Sequence, residues 1–135
     1  MKIDGGCHCG GITYQAEVDP ATVAICHCTD CQTLSGSAFR VVVPAKAEGF
    51  RFLSGEPKVY VKTAESGRPR AQAFCRDCGT PIYSAAVTDP QIFNIRVGTV
   101  RQRAALPPKK ELWCRSALEW VPHPRATQRI EQQDF

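Results

Sequence analysis

Residues 26–31 read Cys-His-Cys-Thr-Asp-Cys, three cysteines within six positions. Thiols crowded this closely reach one metal ion more easily than they form unstrained disulfides. Two smaller clusters answer them, Cys7-His8-Cys9 and Cys75-Arg76-Asp77-Cys78. Seven of the eight cysteines therefore fall in knuckles, and seven divides naturally as four plus three. A closed set of four thiolates marks structural zinc, whereas three protein ligands with an open position mark reactive zinc. The fold must first bring these thiols together.

At 135 residues, with 43% hydrophobic and 22% charged, the sequence fits one soluble globular domain with a core of its own. No run of 18 apolar residues occurs, so no membrane span is expected. The stretch before Cys7 has no apolar signal region. The expectation is a cytoplasmic protein whose cysteines stay reduced and available to metal, with disulfides the alternative. The net charge of +4 is scattered over positions such as Arg68, Arg70, Arg101, Arg103, Lys109 and Lys110. Nucleic-acid binding wants a denser patch, so nucleic acid is not an expected partner.

Short stretches of strand character follow one another along the chain. Residues 12–18 alternate apolar and polar, and Asp19-Pro20 ends them. Residues 32–37 read as one helical turn opening out through Gly36. The β-branched run 39–43 is expected to stop at Pro44. Further strands are predicted at 49–55, 58–62, 70–74, 82–87, 91–97 and 110–114, with turn residues between them. From Pro122 onwards no pattern stands out. The division expected is a β domain over 1–122 and a polar tail over 123–135. No segment gives a helix of twelve residues, and so many short strands predict an all-β domain of packed antiparallel sheets.

Gly-Cys-His-Cys-Gly at 6–10, Cys-His-Cys-Thr-Asp-Cys at 26–31 and Phe-Cys-Arg-Asp-Cys-Gly-Thr at 74–80 occur in that order. Together they resemble the glutathione-dependent formaldehyde-activating enzyme (GFA) family, which includes centromere protein V. The segments 34–39 and 113–116 resemble family stretches too. The resemblance runs from Gly6 to about Trp120 and implies a zinc-stapled β fold, the β-tent. It implies two zinc ions: a structural one on Cys7, Cys9, Cys75 and Cys78, and a catalytic one on Cys26, Cys28 and Cys31. Spacing alone equally allows a zinc ribbon from Cys28 and Cys31 with Cys75 and Cys78. Family members often carry a basic residue after the third thiol of the triple, where this chain has Gln32.

The activity implied is that of a zinc-dependent carbon–sulfur lyase or synthase acting on a small thiol such as glutathione, with formaldehyde as the carbonyl partner. Three thiolates around Zn²⁺ leave a formal charge of −1 and suit a soft, anionic fourth ligand, such as a substrate thiolate. Alternatively the second ion is also structural, completed by Cys114, a histidine or Asp30. A rival reading is a zinc-stabilised module that binds protein or nucleic acid without turnover.

His8 and His27 each sit between two cysteines, and neighbouring side chains in an extended stretch point to opposite faces. Both are therefore expected to point away from any metal. His123, among prolines, is expected to be solvated, and Cys114 to be a buried apolar residue of the last strand. Arginine forks suit the carboxylates of a glutathione-like substrate. Arg40, Arg68, Arg70 and Arg96 are available, although solvated surface positions are the default for each. Phe39, Tyr83 and Phe93 are expected to serve core packing before lining a pocket.

Overall fold

The computed structural model describes residues 1–124 and 127–133. Its strands are β1 (Lys2–Gly6), β2 (Thr13–Glu17), β3 (Ala24–Cys26), β4 (Arg40–Lys46), β5 (Phe50–Ser54) and β6 (Lys58–Thr63). They continue as β7 (Pro69–Phe74), β8 (Pro81–Ala86), β9 (Ile92–Arg96), β10 (Lys110–Leu112) and β11 (Gln128–Arg129). One α-helix, α1 (Thr29–Ser35), follows β3. The domain is mostly β, as the alternating stretches predict. β1, β2 and β5 form a small antiparallel sheet in the order β1-β2-β5. The other eight strands form one sheet in the order β11-β10-β3-β4-β9-β8-β7-β6. Its pairs are antiparallel except where β10 runs parallel to both β3 and β11.

The two-residue period of the strands decides which side chains meet between the sheets. In the large sheet Val43 lies opposite Ile95, and Ile95 opposite Tyr83. This row buries against Ile3, Tyr14 and Ala16 of the small sheet. Phe50 stacks on Phe93 at 4.9 Å and on Tyr14 at 5.5 Å between ring centroids, with Tyr83 edge-on to Phe93 at 4.8 Å. Tyr83 and Phe93 thus serve the core, while Phe39 packs edge-on against His27. Each fully buried side chain of this size stabilises the fold by about 1.5–3 kcal/mol.

The other face of the large sheet is polar and points away from the core. Register places Cys26 opposite Arg40, Val42 opposite Arg96, Asn94 opposite Ser84, Ser84 opposite Gln72 and Arg70 opposite Lys62. The arginines expected to be solvated include two that are buried on this face, Arg40 and Arg96.

Three local expectations change, and one strand falls where none was predicted. β4 runs through Pro44 to Lys46, because its pairing with β3 ends at Val42 and Pro44 has only Asn94 opposite it. A residue without an N–H is tolerated where one side of a strand has no partner. β1 is a strand despite Gly5-Gly6: a Cβ on Gly5 would meet the Thr99 carbonyl at 2.1 Å, so only glycine lets the backbones approach. The last predicted strand ends at Leu112; Trp113 turns into the left-handed region at φ 58°, and Cys114 is buried at the start of a 3₁₀ turn, Cys114–Ser116. Beyond Pro122 the chain returns as β11 alongside β10. Among the described residues no helix is long and apolar enough to cross a membrane.

Candidate functional site

The knuckles are built by local hydrogen bonds. Gly10 N–H donates to Cys7 O and Cys7 N–H to Ile12 O, while Gly79 N–H donates to Cys75 O and Cys75 N–H to Thr80 O. Gly10 at φ 80° and Gly79 at φ 78° supply the left-handed residue in each turn. The two turns face each other: His8 N–H donates to Thr80 Oγ1, and Cys7, Cys9, Cys75 and Cys78 bring four sulfurs within 4.8 Å of one another. The Sγ separations are 3.5 Å for Cys7–Cys9 and 3.8 Å for Cys9–Cys75. Thiolates at the usual Zn–S distance of about 2.3 Å on a tetrahedron lie about 3.8 Å apart. The spacing therefore suits a metal and is far too long for disulfides, which need about 2.05 Å. The Thr80 hydroxyl contact, then the backbone N–H groups of Cys9 and Thr80, hold the Cys78 thiol down at about 5.

The second group is made from one short segment. β3 delivers Cys26, Cys28 caps α1 by accepting the Cys31 N–H on its sulfur at 3.2 Å, and Cys31 lies in the first turn of the helix. Gly36, left-handed at φ 62°, closes the helix as the expected turn through Gly36 requires. The three sulfurs lie within 4.8 Å of one another. Contacts with Cys26, then with Cys31, draw the Cys28 thiol down, aided by the Lys62 charge, and contacts with Cys28 and Cys31 push Cys26 up. The three thiols thus share one ionisation among them, each sulfur within hydrogen-bonding reach of the others. Only a cation among them lets all three ionise together, so this donor set also fits a metal.

What lies around the two groups differs. The three-thiol group sits in the wall of a cleft of about 740 Å³ over the polar face of the large sheet. Arg40, Arg68, Arg70 and Arg96 all line it, as do Lys62 and Arg115. Lys62 pairs with Asp30 at 2.9 Å and Arg115 with Glu65 at 2.9 Å. The four other arginines have no carboxylate partner among the described residues. Burial, then the neighbouring Arg40 charge, lowers Arg96 to about 9 against the pull of Cys31 and Cys26. Burial, then Arg68, lowers Arg70 as well. A shallower depression of about 680 Å³ lies beyond α1, beside Gln32, Phe39 and the exposed Trp120, and contains none of the thiols.

A family model described as glutathione-dependent formaldehyde-activating enzyme matches residues 2–116. The chain belongs to that family. In solved structures it is similar to a Rhodobacter sphaeroides protein, with a TM-score of 0.57 at 19% identity, covering 94% of this chain and 99% of that one. The likeness to that structure is one of fold. The GFA family name and the matched span agree with the resemblance read from the three knuckles.

Within this GFA chain the histidines behave unequally. His8 is exposed, while His27 is fully buried and turns to Glu111, with Nε2 2.9 Å from Oε1. His123 is exposed, as expected, with its side chain 29% accessible, yet its Nδ1 lies 2.5 Å from the same oxygen, and Thr127 donates to Glu111 Oε2 at 2.7 Å. Burial opposes ionisation of Glu111, yet the bonds from Thr127, His123 and His27 outweigh it and hold the carboxyl at about 2. The triad fixes the loop between Cys26 and Cys28 against β10 and the returning C-terminal segment. Gln32 adds a second clasp, donating to His27 O at 2.8 Å and Ser116 O at 3.0 Å. At the position where a basic residue follows the third thiol in many family members, the Gln32 side chain is thus occupied in holding α1. Neither Glu111 nor Gln72 stands out in the sequence. Alternation marks Gln72, between Ala71 and Ala73, as a residue of the polar face, whereas Glu111 lies on a strand of three residues with no period to read.

Proposed function

We propose that the protein is a zinc-dependent carbon–sulfur lyase acting on a small thiol, with glutathione as the candidate substrate and formaldehyde as the carbonyl partner. The observation that carries this reading is the placement of three clustered thiols, and not the four, in a cleft lined by four arginines that have no carboxylate partner among the described residues. Family membership supports it. In this reading Cys7, Cys9, Cys75 and Cys78 hold a structural zinc, and Cys26, Cys28 and Cys31 hold the zinc of the reaction. When bound at the triple, zinc would accept a substrate sulfur and favour its thiolate form, which at a free thiol pKa near 8.5 is scarce at neutral pH.

The chain's own part is to place and balance charge. Arg40 and Arg96 set a positive potential beside the thiols, which favours anionic sulfur over neutral thiol. The cleft leaves room for an aldehyde beside that sulfur. The overall change joins thiol and formaldehyde into the S-hydroxymethyl thiol: a sulfur lone pair forms the C–S bond, and the carbonyl π electrons move to oxygen. That oxygen takes a proton, and the thiol's proton leaves to solvent. Cleavage runs the same steps backward. Gln32 and the His27–Glu111–His123 triad keep the ligand loop still throughout.

Magnetisation-exchange NMR on a glutathione–formaldehyde mixture tests the reading, because it separates catalysed from spontaneous interconversion. The zinc-loaded protein should speed exchange in proportion to its concentration, and Cys28→Ser should not. Exchange at the spontaneous rate with both metals bound would overturn the proposal.

A further inference from the structure

Two buried arginines converge on one neutral atom. Arg40 Nη1 donates to Gln72 Oε1 at 3.3 Å and Arg96 Nη2 donates to the same oxygen at 2.8 Å. The residues are only 6% and 8% exposed. Among the described residues neither has a carboxylate within ion-pairing distance, and Arg96 Nε is buried with no hydrogen-bond partner. Burying a charge without a counter-charge is costly, and burying two like charges side by side costs more. The Gln72 oxygen supplies a dipole where an anion would supply a full charge.

Both side chains lie on the cleft face of the large sheet. Arg40 pairs across the register with Cys26, and Arg96 lies opposite Val42, two residues further along β4. The other basic groups of the cleft nearest the helix, Lys62 and Arg115, are already paired with Asp30 and Glu65. Positive charge therefore remains over beside the thiols, and it remains so after a divalent ion on three thiolates has added its net −1 to the two guanidinium charges.

We propose that Arg40 and Arg96, held together by Gln72, are the carboxylate receptor of the cleft, so that the thiol accepted at the three-cysteine group is one carrying a carboxylate. The proposal rests on the thiol reading above and narrows it. Neutral and cationic thiols reach the same sulfur position but gain nothing from the arginine pair. Gln72 fixes the two guanidinium planes and gives way to the incoming anion, which can meet several N–H donors at once, as a planar fork allows.

The test is calorimetric titration of the zinc-loaded protein with 3-mercaptopropionate, 2-mercaptoethanol and cysteamine. The acidic thiol should bind about tenfold or more tightly than the neutral one, the effect of one charge-assisted contact, and the cationic thiol should bind weakest. Comparing these ratios between wild type and variants cancels each thiol's own acidity. Arg96→Gln should collapse the acidic-to-neutral ratio towards one, because any loss of potential at the sulfur weakens both thiols alike and cancels in the ratio. Gln72→Glu places a carboxylate of the chain between the arginines: it should raise the melting temperature and abolish the preference for the acidic thiol. If Gln72→Glu raises stability but leaves the preference intact, the arginines are structural and the proposal falls. If all three thiols bind wild type alike, the receptor falls and the thiol site stands. If none binds, the thiol reading itself falls, and the receptor with it.

Discussion

The four-thiol group and the three-thiol group are made of the same atoms and differ in where the chain supplies them. Cys7 and Cys9 come from the turn after β1, and Cys75 and Cys78 from the turn after β7, so closing that group ties together segments 66 residues apart between Cys9 and Cys75. The other three thiols span residues 26–31 and close almost no loop. Loop-closure entropy grows with the length enclosed, so a cross-link over a long span restrains the unfolded chain far more than one over so short a segment. In the reading proposed above, the long-range group serves the fold and the local group serves chemistry. Their surroundings agree with this division. The four thiols are bordered by their own knuckle turns, and the three open onto a cleft whose basic side chains outnumber their acidic partners.

The largest test of this contrast is Cys75→Ser. A structural zinc contributes an apparent ~10–16 kcal/mol at neutral pH, comparable to the whole net stability of a domain, about 5–15 kcal/mol. The variant should be largely unfolded, seen as loss of the cooperative thermal transition and poor soluble yield. A folded Cys75→Ser protein would break the comparison.

Graded chelation of the intact protein comes next. The metal held by three thiols should leave first with the far-ultraviolet circular dichroism unchanged, and the metal held by four should leave later with unfolding. A single release step, or one zinc per chain, would mean that the two groups do not differ. Cys28→Ser isolates the same contrast by mutation. It should give a folded protein with one zinc and no uptake of thiol, and a melting temperature within a few degrees of the wild type. Instability equal to that of Cys75→Ser would make the three-thiol group structural as well.

Much of this was legible in the residues because knuckles announce themselves. Short spacing with flanking glycine fixes a turn of few conformations, and Gly10 and Gly79 take the left-handed angles those turns require. The strands of two-residue period were legible for the same reason. What stayed hidden depended on packing between distant segments. Arg40 and Arg96 read as surface residues because arginine usually is one, yet their strands are central in an eight-stranded sheet and a cleft covers their outer ends. His123 and Glu111 meet across a return of the chain beyond Pro122 that carries no hydrophobic period. β1 was hidden by its own two glycines, which are poor strand formers; at Gly5, Tyr14 and Thr99 approach too closely for a Cβ.

The Glu111 triad supports only the three-thiol side of the comparison, and its removal should cost less than the loss of the four-thiol group. Removing the carboxylate leaves a buried ring nitrogen of His27 without its hydrogen-bond partner, which costs about 1–3 kcal/mol. Glu111→Ala should therefore lower the melting temperature by about 5–10 °C. It should also speed amide exchange in the segments around Cys26–Cys28 and β11, leaving the knuckles at Cys7 and Cys75 protected. The pH dependence has a definite sign. The Glu111 carboxyl is held below its unfolded value, so its stabilisation is complete above the unfolded carboxylate pKa of about 4.3 and fades as pH falls through about 2. Equal loss of protection in all three knuckle segments would mean that the triad supports the whole domain.

The smallest effect expected is that of Lys62→Met. Lys62 reaches from the edge strand β6 to Asp30 in the first turn of α1, and its charge also draws down the Cys28 thiol. Asp30 is well exposed, with its side chain 56% accessible, so water screens the pair and its contribution to stability should stay below about 1 kcal/mol. Methionine keeps the apolar stem of lysine against the sheet, so that packing changes little and charge alone is removed. Stability should barely move. The affinity of the three-thiol group for zinc, measured by competition after that metal is stripped and returned, should fall by about threefold at low salt, the value of a weak exposed pair. In 1 M salt, where the Debye length is about 3 Å, wild type and variant should converge. Lys62 is among the groups that shift Cys28 and not among those that shift Cys7, Cys9 or Cys78, so the four-thiol group should keep its metal equally well in both proteins. A salt-independent loss at the triple would mean that Lys62 acts by positioning α1, and a loss at both groups would mean that the two centres are coupled through the sheet.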